Sequence, residues 1–285
     1  KNVELDLIDI DNNFLSLLKI FLKKIKIPKN FKLNFINKNF LDYNFKKTYD
    51  LVIANPPFGK IDTNLINEEV KKITKKILSK NMFALFLYKS SLISKNIAFI
   101  CPKSLLNTPE FDNLRNYLSE FYFNSIHDYG EKAFKGVLIE TISIQFSKKK
   151  KNNNNNVKII SFIDNNVFFQ NQSIIQDKKM PNWLLYRDKG FEKILLKLKF
   201  NIFDYFRDRE ITKKLSNNKK NGIRVLKSRN IDNLKIKNID NYDTYIKNYK
   251  NLSVAKYLNK NLIIIPNLTY YPRAAYLPKN SICDG

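Results

Sequence analysis

The first half of the chain alternates short apolar runs with longer segments of helical periodicity. Runs of about four to eight residues rich in Ile, Val and Phe predict β-strands. Longer segments, in which apolar residues recur every three or four positions, predict α-helices. Strands are predicted near 3–10, 32–37, 50–54, 97–101, 123–128 and 139–146, and helices near 12–26, 67–94 and 110–120.

This alternation is typical of an α/β domain with a mainly parallel sheet and helices on both faces. The last two strands of the series are close along the chain, so we expect an antiparallel pair at one edge of the sheet. The lysine and asparagine run at 148–156 predicts an exposed loop. Strand 157–163 still belongs to the first domain, which we place at residues 1–165.

A second region begins after a polar stretch, at Met180-Pro181-Asn182-Trp183. Its short strands and scattered asparagine turns predict an irregular, mixed α+β domain over residues 180–285. No apolar run approaches the roughly 20 residues of a membrane helix, and no secretory signal is present. The two cysteines lie far apart. They predict neither a disulfide framework nor a metal site, and they fit a reducing cytoplasm.

Composition adds a formal net charge of +25, for which a phosphate backbone is the obvious partner. The abundant lysine and asparagine are also what AT-rich coding produces, so charge alone leaves that alternative open. Arginine is not favoured by such coding, and six of the seven arginines lie after residue 180. This clustering indicates that the second region contacts nucleic acid.

The strand at 50–54 runs directly into Asn55-Pro56-Pro57-Phe58. An exocyclic amine on a base is a poor nucleophile until two acceptors bind its N–H groups and localise its lone pair. The Asn55 side-chain oxygen and the Pro56 carbonyl are such acceptors, and adjacent prolines make the segment stiff. Phe58 suits stacking on the face of a base. The alternative is an ordinary turn after a buried strand, since Asn and Pro are common turn residues.

With this motif the chain resembles the N6-adenine DNA methyltransferases, the TaqI-like gamma-type group with a C-terminal target-recognition domain. The resemblance implies a Rossmann-like domain that binds S-adenosylmethionine and methylates an adenine flipped out of duplex DNA, in a restriction–modification system. It assigns catalysis to Asn55, Pro56, Pro57 and Phe58. The second region is then a target-recognition domain.

The resemblance extends to the cofactor. Residues 3–11 look like the family's second strand, whose terminal acid binds the ribose of S-adenosylmethionine, and this places Asp9 in that role. Asp11 fits better as the N-cap of the following helix. Asn39 and Phe40 stand where the family contacts the cofactor's adenine, although the family usually has Asp in place of Asn. Asn55 also borders the cofactor, and the alternative for Phe40 is a core residue.

Two further assignments follow from the resemblance. Phe146, at the end of strand 139–146, matches the ring that stacks on the flipped adenine opposite Phe58, with a core residue as the alternative. Arg224, Arg229 and Arg273 fall in the recognition region and are expected to face DNA. The family's glycine-rich first strand and turn are expected upstream of Lys1, so the chain resembles part of a longer protein.

Other functions remain open at this point. Methylation of another planar nitrogen, in an RNA base or a protein glutamine, uses the same motif chemistry, and the basic second region argues against glutamine. A non-catalytic DNA-binding subunit or fragment is the alternative from a different class. The sequence predicts neither the target site nor the oligomeric state.

Overall fold

The computed structural model describes residues 2–62, 67–136, 138–150, 155–200, 202–267, 269 and 271–284. Residues 151–154 of the predicted exposed loop therefore lie outside the described residues. The chain divides into two compact units, 1–197 and 198–285.

The first unit begins with a two-stranded parallel sheet. Strands β1 (Val3–Asp9) and β2 (Phe31–Asn37) are joined by helix α1 (Asn12–Lys24). Asp11 caps this helix, because its carboxylate accepts the backbone N–H groups of Asn13 and Phe14. The predicted strand, helix and N-cap are confirmed here.

A six-stranded mixed sheet forms the centre of the first unit, in the order β3-β4-β6-β5-β7-β8. Its strands are β3 (Tyr49–Ala54), β4 (Ser94–Pro102), β5 (Phe121–Gly130), β6 (Thr141–Lys150), β7 (Asn156–Ser161) and β8 (Asn166–Asn171). The predicted α/β class is confirmed. β5 and β6 are antiparallel, as expected, but they lie inside the sheet. The predicted edge position was wrong because β7 pairs parallel to β5 and β8 follows it.

The apolar segment 67–94 was predicted as one helix and forms two, α2 (Glu68–Ile77) and α3 (Met82–Ile93). Leu78 adopts a left-handed conformation with φ 51°, which ends α2. The predicted helix 110–120 shortens to α4 (Asp112–Leu118), because residues 109–111 form a 3₁₀ turn that begins with a proline. Two short helices, α5 (Gln172–Ile175) and α6 (Lys189–Leu195), complete the unit.

The segment around Trp183 belongs to the first unit, whereas the sequence suggested that it opens the second. The Trp183 ring packs edge-on against Phe123, with 5.5 Å between centroids, and the backbone N–H of Trp183 donates to the Leu106 carbonyl. Leu185 is buried in the same core. An aromatic side chain of this size contributes a large buried area, so it ties the segment to the sheet.

Among the described residues, β1 pairs only with β2, and β3 pairs only with β4. Side chains alone join these two edges: the Tyr49 hydroxyl donates to Asp6 at 2.5 Å, and Lys47 lies 3.0 Å from the same carboxylate. Ile53 on β3 is 76% exposed. Each strand thus presents an unpaired backbone edge.

The second unit consists of short strands and 3₁₀ turns. A three-stranded sheet has the order β12-β9-β15, and two strand pairs, β10-β11 and β13-β14, accompany it. The strands are β9 (Ile223–Leu226), β10 (Ile231–Asp232), β11 (Lys235–Ile236), β12 (Thr244–Ile246), β13 (Ile263–Ile264), β14 (Ala275–Tyr276) and β15 (Ser281–Cys283). Across the described ranges of both units, no helix is long and apolar enough to cross a bilayer.

Candidate active site

The Asn55 side chain stands exposed just after the end of β3. It hydrogen-bonds to no residue in the part of the chain that the structure describes. Pro56 is buried, which fixes the backbone directly after Asn55. β3 runs parallel to β4, with Ala54 opposite Phe99, so the motif leaves the sheet beside the exit of β4. The arrangement presents a rigidly mounted amide to solvent at the carboxyl edge of two parallel strands.

The turn between α2 and α3 holds the far side of the motif loop. The Gly59 carbonyl accepts the N–H of Met82 at 2.7 Å, and the Ile61 N–H donates to the Lys80 carbonyl at 2.9 Å. Gly59 has φ 143°, a conformation that L side chains rarely adopt. The break at Leu78, which the sequence did not predict, therefore supplies the backbone groups that fix the loop after Phe58.

Phe58 is partly buried and lies among aromatic rings. Its ring meets Phe83 edge-on at 6.3 Å between centroids, and it meets Phe134 edge-on at 6.4 Å. Phe134 is partly exposed and belongs to the loop between β5 and β6. The sequence interpretation missed Phe134. The sequence signal for it is weak, because Phe134 is one of several apolar residues in the segment between β5 and β6.

The assignment of Phe146 to base stacking is corrected by its surroundings. Phe146 is 1% exposed, and its ring stacks on Phe121 and Phe123 at 5.8 and 5.2 Å between centroids. Because β6 runs antiparallel to β4, the end of β6 near the motif is Thr141, opposite Pro102. Phe146 lies five residues further along, about 17 Å of extended strand. It is a core residue, the alternative that the sequence left open.

Asp9 ends β1 with a partly exposed carboxylate. One of its oxygens accepts the N–H of Asp11 at 2.8 Å, which orients the group. Its second oxygen hydrogen-bonds to no described residue and is placed to accept a hydroxyl donor. A fixed carboxylate at the end of a parallel strand can accept hydrogen bonds from the ribose hydroxyls of S-adenosylmethionine, so this acceptor fits the cofactor that the resemblance implies.

Asn39 and Phe40 lie at the exit of β2. The Asn39 side chain accepts the N–H of Leu41 at 3.1 Å and donates to Asp42 at 2.7 Å. It therefore shapes its own turn, and its second amide N–H bonds to none of the described residues, which leaves it for a ligand. The partly exposed Phe40 ring stacks on Phe86 of α3, with 4.9 Å between centroids. Both interpretations of Phe40, as core and as a ligand-facing ring, are compatible with this position.

A buried ion pair lies at the exit of β4. Lys103 contacts the fully buried Asp128 of β5 at 2.9 Å, and the Tyr186 hydroxyl donates to the same carboxylate. Burial lowers the pKa of Lys103, but hydrogen bonds and charge attraction from Asp128 and Glu140 together outweigh it and raise this pKa overall. Burial together with Asp128 raises the pKa of Tyr186 to about 12. No pattern in the sequence indicates this network, which joins the ends of β4 and β5 near the motif.

The predicted DNA-facing arginines differ in their surroundings. Arg224 donates to Asp243 and to the Lys237 carbonyl, both at 2.8 Å, and its side chain is 18% exposed. These bonds tie the guanidinium to the second unit itself, and the assignment of Arg224 to DNA stays a prediction that they do not favour. Arg229 is exposed and lies over the Tyr242 ring, 5.0 Å from the centroid.

Arg273 is partly exposed and lines an open pocket of about 380 Å³ together with Ile265, Pro266 and Pro272. Its Nε donates to the Thr269 hydroxyl at 3.1 Å, which orients the guanidinium. Arg229 and Arg273 are thus the two predicted arginines whose positions leave them accessible to a ligand.

Comparison with known proteins bears on the part of the chain that carries this site. Residues 2–134 match the family model of the Eco57I restriction-modification methylase. The match runs from β1 through the motif to Phe134. It supports a methyltransferase of the restriction–modification type. A search of curated proteins found no match.

Solved structures are similar at low identity. The type IIG restriction endonuclease BpuSI is 22% identical over 54% of this chain and 20% of its own, with a TM-score of 0.44. A putative class I S-adenosylmethionine-dependent methyltransferase from Listeria monocytogenes is 17% identical over 56% and 50%, with a TM-score of 0.46. The modification subunit of a putative type I restriction enzyme from Vibrio vulnificus YJ016 is 12% identical over 68% and 49%, with a TM-score of 0.48. The chain therefore spans between a fifth and a half of the lengths of these proteins.

Proposed function

We propose that this chain methylates N6 of an adenine flipped out of double-stranded DNA, with S-adenosylmethionine as the donor, in a restriction–modification system. The observation that carries the proposal is the Asn55 amide, exposed after β3 and free of hydrogen bonds to the described residues, beside the Phe58 ring. The family match over residues 2–134 supports it.

The motif performs the chemistry by positioning. The Asn55 side-chain oxygen and the Pro56 carbonyl accept the two N–H groups of the target amine. This draws the nitrogen out of conjugation and directs its lone pair at the methyl group. S-adenosylmethionine supplies an activated methyl group on a sulfonium. Fixed dipoles aimed at a developing charge do not have to reorganise during the reaction, so a rigid Asn-Pro-Pro segment suits the step.

The target base needs a pocket, because its amine is unreachable inside the duplex stack. Phe58 and Phe134 border the motif from two different loops, with their centroids 6.4 Å apart. The rings touch edge-on in this structure. A small rotation of the Phe134 loop would open a slot between two aromatic surfaces for a planar base. We therefore assign the second stacking ring to Phe134.

Asp9 is proposed to accept the ribose hydroxyls of the cofactor, with Asn39 and Phe40 near its adenine. Arg229 and Arg273 of the second unit are proposed to contact DNA. Lys227 also lies over the Tyr242 ring, at 4.9 Å, so the Arg229 face carries two cations around one tyrosine. Such a surface combines phosphate attraction with an aromatic platform, which suits nucleic acid.

The deciding experiment measures transfer of a labelled methyl group to duplex DNA by a protein that contains this chain. Asn55→Ala should lower the rate by about 100- to 1,000-fold, the usual loss for one fixed hydrogen-bonding group in a transition state. Duplex affinity should be unchanged, because the Asn55 side chain hydrogen-bonds to none of the described residues and its loss leaves their fold intact. Asn113→Ala, on the exposed face of α4, is the matched control and should behave like the parent.

The substrates in this experiment distinguish the alternatives. Duplexes in which every adenine already carries an N6-methyl group should accept no label. Label that appears in RNA and not in DNA would assign the chain to RNA bases. Near-parental turnover by Asn55→Ala would show that the motif takes no part in the chemical step.

A further inference from the structure

Lys89 is a buried lysine on α3 with only 2% of its surface exposed. Its ammonium donates to the Leu41 carbonyl at 2.6 Å, the Tyr43 carbonyl at 2.9 Å and Glu69 Oε1 at 2.9 Å. An ammonium has three donors and no acceptor, so these three bonds satisfy it completely. The Nζ also lies 5.6 Å from the centroid of the Phe45 ring. The surroundings are thus built around this one cation.

Two of the three acceptors belong to the irregular segment after β2. Residues 39–43 turn back on themselves, because the N–H groups of Asp42 and Tyr43 both bond to the Asn39 carbonyl. That turn leaves the carbonyls of Leu41 and Tyr43 pointing at α3, where Lys89 binds both. One helical turn earlier, Phe86 stacks on Phe40. A single face of α3 therefore fixes the segment that carries Asn39 and Phe40.

The third acceptor connects this segment to the motif. Glu69 lies in the first turn of α2, and Asn67, which caps α2, donates to Asp42. The turn after α2 is the one that bonds to Gly59 and Ile61, directly after Phe58. Lys89 thus lies at the junction of the β2 exit, helix α2 and helix α3.

A lysine is a costly means of adding stability at such a place. Burying an ammonium carries a desolvation penalty, and replacing buried ionic groups by apolar ones of similar volume is often neutral or stabilising. A methionine would fill the same space. It would leave the Leu41 and Tyr43 carbonyls without their donor and the segment without a fixed position. The contribution of Lys89 is therefore to hold the segment 39–43 in a fixed position.

We propose that Lys89 is a positioning residue of the cofactor site: it fixes the segment 39–43 against α2 and α3, and so sets the affinity for the cofactor. This inference rests on the proposed function. If the segment is in its binding conformation only one-tenth of the time, the apparent affinity falls by the same factor, about tenfold. The acceptors Asn55 and Pro56 are not part of this contact, so the chemical step should be unaffected once the cofactor is bound.

The test compares Lys89→Met with the parent by two measurements. Amide hydrogen exchange on the chain itself should accelerate at Asp42 and Tyr43 and stay unchanged in the strands of the six-stranded sheet. In the form of the protein that transfers methyl groups, the KM for S-adenosylmethionine should rise about tenfold while kcat stays within about twofold. Lys95→Met, which removes an exposed lysine paired to Asp50, is the control and should change neither.

A second variant covers the case in which Lys89→Met does not fold. Glu69→Gln keeps a side-chain acceptor for the buried Lys89 ammonium but removes the negative charge, so this variant should fold, and the weaker bond should raise the same KM by about threefold. Unchanged exchange and an unchanged KM in the folded variant would overturn the inference, as would a loss confined to kcat. If exchange accelerates but the parent neither binds the cofactor nor transfers methyl groups, the proposed function fails while the structural role of Lys89 stands.

Discussion

At the scale of single residues, the two phenylalanines Phe134 and Phe146 differ in role: one lies beside Phe58, and the other is buried in the core. Both lie near β6, one in the loop before it and one within it. The strand direction separates them: β6 starts beside the motif and runs away from it, so the residue before the strand stays near Phe58. The sequence contains both rings but does not show which end of β6 lies near the motif.

This difference predicts opposite results for the two alanine variants. Phe134→Ala should weaken retention of the flipped base by about 1–3 kcal/mol, as Phe58→Ala should, because each removes a stacking surface. Phe146→Ala should instead lower the free energy of unfolding by about 3–5 kcal/mol, the usual cost of truncating a buried Phe. A fluorescent adenine analogue at the target position reports base flipping, and thermal melting reports stability.

Two outcomes of these measurements would contradict the roles assigned to Phe134 and Phe146. If Phe146→Ala melts like the parent yet loses the fluorescence change, the base stacks on Phe146 and the present assignment is wrong. If Phe134→Ala changes neither signal, Phe134 is only a neighbour of Phe58.

Some site residues could be predicted from the sequence because their roles are local. Asp11 caps α1 through backbone groups two and three residues away, and Asn55 follows directly from its strand. Lys89 and Arg224 could not be predicted, since their partners lie 48 and 19 residues away along the chain. A lysine in an apolar helix and an arginine in a short strand look like surface positions until the fold brings their acceptors to them.

At the scale of elements, the sequence predicted the strands better than the breaks between helices. Apolar periodicity continues through residues 67–94, so it gives no sign of an interruption. The break depends on Leu78 in a left-handed conformation, which costs a residue with a Cβ about 1–2 kcal/mol. Tertiary bonds from the turn to Gly59 and Ile61 offset that cost, and such bonds are invisible in a local pattern.

Arg224 lies in β9 and Arg229 in the turn after it, and we expect the two arginines to have different roles. Arg224→Ala should destabilise the second unit, because Asp243 loses a partner in a part-buried network, and it should leave the salt dependence of DNA binding unchanged. Arg229→Ala should leave melting unchanged, weaken binding to all duplexes and make the slope of log K against log salt shallower by about one unit.

Titrations at several salt concentrations, on specific and random duplexes, test this separation. If Arg229→Ala relaxes choice at a single base pair by about 1–3 kcal/mol, Arg229 reads a base and not a phosphate. If variants of Arg229 and Arg273 bind every duplex like the parent, these arginines do not contact DNA, and the positive charge of the chain reflects only its amino-acid composition.

At the scale of the whole molecule, the residues proposed to bind the cofactor and the target base lie on two sheets, between which the described residues form no backbone hydrogen bond. Asp9 belongs to the β1-β2 pair, and Asn55 follows the first strand of the six-stranded sheet. The Tyr49–Asp6 hydrogen bond and the ion pairs of Lys47 with Glu4 and Asp6 join the two edges. Each such contact contributes only about 1 kcal/mol or less. A strand that paired with β1 on one side and with β3 on the other would hold Asp9 and Asn55 in one continuous sheet.

Residues 1–285 alone should therefore bind S-adenosylmethionine weakly and be poorly soluble. Weak binding follows because Asp9 and Asn55 are not held in a fixed relation, and low solubility because unpaired strand edges attract other chains. Calorimetric titration of the isolated chain with the cofactor is the measurement. Micromolar binding by the isolated chain would show that the side-chain contacts between Asp6, Lys47 and Tyr49 are sufficient to hold the site together.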